Sequence, residues 1–242
     1  RRNLFYRQDE IRTKSFAANL DRVLILIAAD PEYSESQLSR ALVAAEAERI
    51  TPIIALNKSD LAQPFAQAWE RLAPYRAMGY SVMPISLSPR SPVADDGVQA
   101  LCAHLQGLTT LVLGPSGSGK STLINRLVPS AGAQTGEVSR ALNSGKHTTT
   151  STTWYWMDEA RTTGLIDSPG FQEFGLKQVD AQKLPALMPD LRDASTRCRF
   201  YNCTHRQEPG CGVREALAQG AISESRYRIY GEIRQELEGT RW

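Results

Sequence analysis

"LNKSDL", residues 56–61, has the pattern of a loop that reads a guanine base, and "GPSGSGKS", residues 114–121, that of a loop that cradles phosphates. Chains that bind guanine nucleotides normally place the phosphate loop first. Here it comes second. Either one match is accidental or the segments of one domain are joined in another order, and that choice decides the fold.

The phosphate loop has context on both sides. "LVLGPSGSGKST" reads as an apolar strand, Gly114, four residues, then Gly119, Lys120, Ser121 and a helical pattern. The glycines let backbone N–H groups turn inward around phosphate oxygens. Lys120 reaches the β and γ phosphates, and the Ser121 hydroxyl ligates Mg²⁺. A chance match in a chain of ordinary composition is on the order of one in a hundred, which sets aside a ligand-free glycine turn. The nucleotide-binding set here is Gly114, Pro115, Ser116, Gly117, Ser118, Gly119, Lys120, Ser121 and Thr122.

Downstream, "GLIDSPGF" ends an apolar strand at Asp167. A carboxylate there holds Mg²⁺ through water, and the Gly170 N–H is placed to sense a γ phosphate. An Asp-x-Pro-Gly turn is common by itself; behind a phosphate loop it gains weight. Between the two lies "GKHTTT", residues 145–150, in a Gly/Ser/Thr-rich stretch without periodicity. A nucleotide-switched loop needs a hydroxyl that meets Mg²⁺ only when the γ phosphate is present. Thr148, Thr149 and Thr150 are the candidates, and spacing does not choose among them.

The base loop follows the strand candidate "PIIAL". The Asp60 carboxylate can accept both the N1–H and the exocyclic amine of guanine. Adenine offers no such pair, so it would leave a buried carboxylate unpaired. Asn57 braces the loop, and the Lys58 stem lies over the base. "MPISL" then brings Ser86 after another strand, where its backbone meets the guanine oxygen. Two base-side elements in the right mutual order favour rearrangement, because loops of one sheet can be assembled in space from either chain order.

The remaining pattern agrees. Strand candidates lie at 23–28, 52–56, 81–85, 108–113, 153–157 and 163–166, with helical patterns between them such as "SESQLSRALVAAEAERI". The expected class is α/β: a P-loop GTPase domain with a mostly parallel sheet and flanking helices. Near Pro185 the composition shifts to Pro, Cys, Arg and aromatics, so residues 1–185 are read as the GTPase domain and 186–242 as a smaller, mainly helical one. There, "CRFYNCTHRQEPGC" holds Cys198, Cys203, His205 and Cys211. Three thiolates and an imidazole match a closed, structural zinc site with no open catalytic position. Zinc would add folding energy to a segment with few large apolar residues. Cys102 reads as a packing residue, and His104 has no evident partner.

The 242 residues carry a formal net charge of +2 and no apolar run of membrane-spanning length. A cytoplasmic protein is expected. Arg1, Arg2, Arg7, Arg12 and Lys14 crowd the start, and Arg192, Arg197, Arg199 and Arg206 surround the cysteines. Such patches meet phosphate backbones or simply face solvent.

The motifs "ANLDRVLILIAADPE", "LNKSDL", "GPSGSGKSTLIN", "GKHTTT" and "IDSPGFQEFGL", with the cysteine cluster, closely resemble the circularly permuted ribosome-assembly GTPases known as ribosome small-subunit-dependent GTPase A. The resemblance covers nearly the whole chain. It implies binding of GTP and GDP with Mg²⁺ held by Ser121 and Asp167, one structural Zn²⁺, and GTP hydrolysis stimulated by the small ribosomal subunit late in maturation. It implies the subunit and its rRNA as partners, no membrane, and a monomer. It also implies a catalytic role for His147, beside Lys120 and Asp167, since Phe171 stands where many GTPases carry a water-orienting glutamine. An oligonucleotide-binding barrel precedes the GTPase domain in that family. These 242 residues have no space for it, so 1–18 are expected as the linker from it. Ser168 replaces the family's usual threonine, and Gly117 stands where potassium-activated relatives have asparagine.

Two rivals keep the phosphate loop. A P-loop phosphotransferase or ATPase would let ATP compete with GTP. A zinc-stabilised RNA-binding module with a non-hydrolysing nucleotide site would bind RNA regardless of Lys120.

Overall fold

The computed structural model describes residues 1–89, 94–133, 152–170 and 174–239. The apolar runs become the strands of one six-stranded sheet. β3 (Arg22–Ala28), β4 (Thr51–Asn57), β5 (Ser81–Pro84), β6 (Thr109–Leu113) and β8 (Gly164–Asp167) are parallel, and β7 (Thr153–Trp156) runs antiparallel at one edge; the order is β5-β4-β3-β6-β8-β7. Near-continuous Val, Ile and Leu in β3 and β4 fit strands covered on both faces.

Helices α1 (Glu35–Ala47), α2 (Ala62–Arg71), α3 (Ala73–Ala77), α4 (Ala94–Leu105) and α5 (Lys120–Leu127) connect the strands. α1 starts where the sequence predicts: Ser34 caps it by accepting from the Gln37 N–H at 3.3 Å, and Glu35 stands in the first turn. Leu38, Ala41, Leu42 and Ala45 bury its apolar face. Cys102 is half-buried against the core beneath α4, and His104 is exposed.

β3 leads through α1 to β4 on one side, while its neighbour β6 leads through α5 towards β8 on the other. The carboxyl ends of β3 and β6 therefore flank the point where the winding reverses, the crevice in which doubly wound sheets bind ligands.

The first eighteen residues, expected as a linker, carry regular structure. β1 (Leu4–Gln8) and β2 (Thr13–Ala18) form an antiparallel hairpin. Phe5 and Phe16, 0% and 7% exposed, pack with Phe174 at ring separations of 5.9–6.3 Å. Asn3 exchanges two side-chain hydrogen bonds of 2.9 Å with the Leu20 backbone. Only two residues of the hairpin strands are fully buried, so the polar remainder read as a tether.

Beyond residue 185 come α6 (Pro189–Ser195), α7 (Gly212–Ala218) and α8 (Glu224–Glu238). They share one core with the sheet: Leu191, Val213 and Ile229 belong to the same buried cluster as Ile25 and Ile54. Arg226 of α8, 2% exposed, binds both Asp190 carboxylate oxygens at 2.9 and 3.0 Å, donates to Ser39 of α1 at 2.8 Å and lies over Tyr75. Among the described residues, no helix is long and apolar enough to cross a membrane.

Candidate functional site: nucleotide loops and a metal cluster

The loop leaving β6 turns through Gly117 and Gly119, at φ of 82° and 97°, before α5 begins at Lys120. Gly119 is needed twice over. Its backbone is left-handed, and a Cβ there would lie 2.5 Å from the Asn57 amide. The loop at the end of β4 thus presses directly on the phosphate loop.

Asn57, 3% exposed, makes that contact specific. Its Nδ2 donates to the Ser118 carbonyl at 2.9 Å, while its Oδ1 accepts from the N–H groups of Lys58 at 2.7 Å and Leu87 at 3.2 Å. One side chain pins three loops, from β4, β5 and β6, into a single crevice. Segments read in swapped order do meet around one site.

Asp60 stands exposed on the same loop, and the buried Ser86 hydroxyl donates to its Oδ1 at 2.6 Å. Sequence reasoning put the Ser86 backbone at the base and missed this side-chain bond. Lys58, at φ 68°, reaches Asp30 at 3.8 Å. Asp30 was not singled out either; its position just past the end of β3 was the available signal.

At the phosphate end, Lys120 Nζ lies 2.9 Å from Asp167 Oδ1, both side chains buried. A buried ion pair of this kind offsets the desolvation of each partner. Ser168, completely buried, donates to the Val112 carbonyl at 2.7 Å. Gly170 packs on the phosphate loop, where an added Cβ would lie 3.6–4.0 Å from Gly114, Ser116 and Pro115. Ser121 and Thr122 occupy the first turn of α5, half-buried and exposed. Beside the loop a cavity of about 270 Å³ runs to α1, lined by Tyr33, Gln37, Ser116 and Ser118 among others. His147, Thr149 and Thr150, with Thr148 and Phe171, lie outside the described residues.

The second cluster joins Cys198, Cys203, His205 and Cys211, whose donor atoms all fall within 4.8 Å of one another. His205 Nδ1 is 3.5 Å from the Sγ atoms of Cys198 and Cys211, which are 4.0 Å apart. Donors about 2.3 Å from a shared tetrahedral ion stand about 3.8 Å apart. The donor set and spacing fit one metal ion. Burial, aided by Arg234, lowers the His205 pKa and favours the neutral ring that ligates metals. The loop is braced from both sides. Glu208 accepts from the N–H groups of Thr204, Arg206 and Gln207, and Tyr227 and Tyr230 donate to the carbonyls of His205 and Thr204.

The family model described as RsgA GTPase matches residues 1–177. The chain belongs to the RsgA GTPase family. Its members are GTPases, and in this one the loops that end β4, β5 and β6 meet at Asn57. The chain is 67% identical over 246 aligned residues to the small ribosomal subunit biogenesis GTPase RsgA of Variovorax paradoxus (strain S110), covering 100% of this chain and 76% of the relative. The protein of the same name from Paraburkholderia phytofirmans is 50% identical, over 98% of this chain and 75% of its own. Among solved structures, YjeQ from Thermotoga maritima superposes with a TM-score of 0.74 at 28% identity, over 100% of this chain and 77% of its own. YloQ, a circularly permuted GTPase, gives 0.71 at 25% identity, over 98% and 79%.

Proposed function

We propose that this GTPase hydrolyses GTP to GDP and phosphate as a late assembly factor of the small ribosomal subunit, and that the particle stimulates its turnover. Relatives named for small-subunit biogenesis support the biological role. The observation that carries the nucleotide assignment is the Asn57 side chain tying the base loops to the phosphate loop.

Asp60, oriented by Ser86, accepts the two donors on guanine's edge, and Lys58 covers the base. Lys120 exchanges Asp167 for the β and γ phosphates, where it offsets the charge that develops during transfer. The freed Asp167 carboxylate and the Ser121 hydroxyl are the groups that hold Mg²⁺, which neutralises phosphate charge when bound. Gly170 brings its N–H beside the phosphate loop. Thr148, Thr149 or Thr150 meets the metal, and the resemblance assigns His147 to orienting or deprotonating water. Cys198, Cys203, His205 and Cys211 hold a structural zinc ion, and the protein acts in the cytoplasm, as its assembly role requires.

The test is GTP hydrolysis with and without purified small subunits. Stimulation that disappears when large subunits replace them supports the reading. A rate indifferent to the particle contradicts it.

A further inference from the structure

We propose that the cavity between the phosphate loop and α1 is a second ligand site, for a neutral ring that carries an amide, and that its occupant braces the phosphate loop from beneath. This goes beyond GTP binding and rests on the nucleotide reading of residues 114–121.

The cavity of about 270 Å³ is bounded by β3, residues 31–34, the first turn of α1 and the phosphate loop. Among the described residues, Asn57, Asp60, Lys120, Ser121 and Asp167 do not border it. Ser118 divides the two sites. Its carbonyl accepts from Asn57 at 2.9 Å, whereas its side chain borders the cavity. Ser118 is 2% exposed, and its Oγ has no hydrogen-bond partner among the described residues. The buried Oε1 of Gln37, on the α1 side of the same cavity, has none either. Buried polar atoms left unpaired cost free energy. These two face a space far larger than one water molecule's share of about 30 Å³.

The lining selects the ligand's chemistry. Ile25, Ile27, Tyr33 and Leu38 give buried, largely apolar walls suited to a ring. Gln37 Oε1 only accepts, and the Ser118 hydroxyl lacks an acceptor for its proton. An amide supplies both an N–H and a carbonyl. No Lys or Arg borders the cavity among the described residues, and Glu32, at the exposed rim, is paired with Arg71. An anion would be desolvated there without a counter-charge, which excludes phosphorylated occupants. The wall is built in advance: Arg71 also binds Glu35 at 2.9 Å and the Tyr33 carbonyl at 3.3 Å.

The cavity also touches the phosphate loop's flank. A Cβ on Gly117 would lie 3.6 Å from Pro31 Cγ at the rim. An occupant that pairs with the Ser118 hydroxyl supports the loop before nucleotide arrives and reduces its ordering cost. Occupant and nucleotide then tighten each other by the same factor.

The test uses the full chain loaded with GDP and Mg²⁺, and benzamide as the probe, read by saturation-transfer NMR and calorimetry. Saturable binding is expected, with a Kd of about 1 mM or tighter. N,N-dimethylbenzamide, which has no N–H, and benzoate, which is charged, should each bind at least about fivefold more weakly. Gln37→Leu should weaken benzamide about fivefold without lowering the Tm, since it removes an unpaired acceptor. Saturating benzamide should raise GDP affinity about fivefold or more. Absence of saturable binding up to about 10 mM, displacement in proportion to GDP occupancy, benzoate binding equal to benzamide, unchanged binding by Gln37→Leu, or unaltered GDP affinity overturns the site. Failure of the chain alone to bind GDP removes the nucleotide reading by a separate route. GDP binding without benzamide binding removes only the cavity site.

Discussion

The nucleotide loops and the cysteine loop are ordered by opposite means. Each nucleotide loop begins at the end of a buried strand, and Asn57 holds the set together with three hydrogen bonds. The cysteine loop between α6 and α7 has no strand or helix of its own; four donors converge within it, and a few side chains brace it. One site is made by the fold; the other, with the proposed zinc bound, makes its part of the fold.

Removing the proposed zinc should therefore give the largest effect, and an uneven one. Structural zinc contributes roughly 10 kcal/mol of apparent binding energy in small modules. Chelation is expected to raise amide exchange by orders of magnitude across 198–211 while β3, β4 and β6 stay protected. Loss of protection in the sheet at the same rate would break the contrast and make the Arg226–Asp190 latch the joint of a single cooperative unit.

Lys120→Ala sharpens the comparison at the other site. With the phosphate-facing role proposed for Lys120, its loss should cut GTP hydrolysis by at least about 100-fold. It also removes the cation paired with the buried Asp167 carboxylate, a change that costs about 3 kcal/mol or more in a buried pair. Thermal unfolding without nucleotide should show this loss, and adding Asp167→Ala should return part of it. Ser86→Ala is the smallest change. Asp60 loses one donor, worth about 1 kcal/mol, so GDP affinity by calorimetry should fall about fivefold with unfolding unaltered.

The sheet was legible because its central strands β3, β4, β6 and β8 are short, largely buried apolar runs, and the observed strand bounds fall within a residue or so of the expected ones. The loops that converge on Asn57 stood out because they carry particular residues at fixed spacing. Long-range polar contacts were not. Nothing local shows that Asn57 spans to Leu87, that Ser86 aims its hydroxyl at Asp60, or that Arg226, on a helix rich in charge, is buried against Ser39 and Asp190. The hairpin of β1 and β2 escaped for a related reason: its place is secured by Phe174, far along the chain.

The central claim is that Asp60 reads the base of the same nucleotide whose phosphates Lys120 holds. The direct measurement is hydrolysis and binding of GTP and XTP by Asp60→Asn. Xanthine carries a carbonyl where guanine has its amine, and an asparagine amide can donate to that oxygen. The preference should shift towards XTP by about 100-fold or more relative to the unsubstituted chain. An unchanged preference for GTP would place base recognition elsewhere and contradict the account.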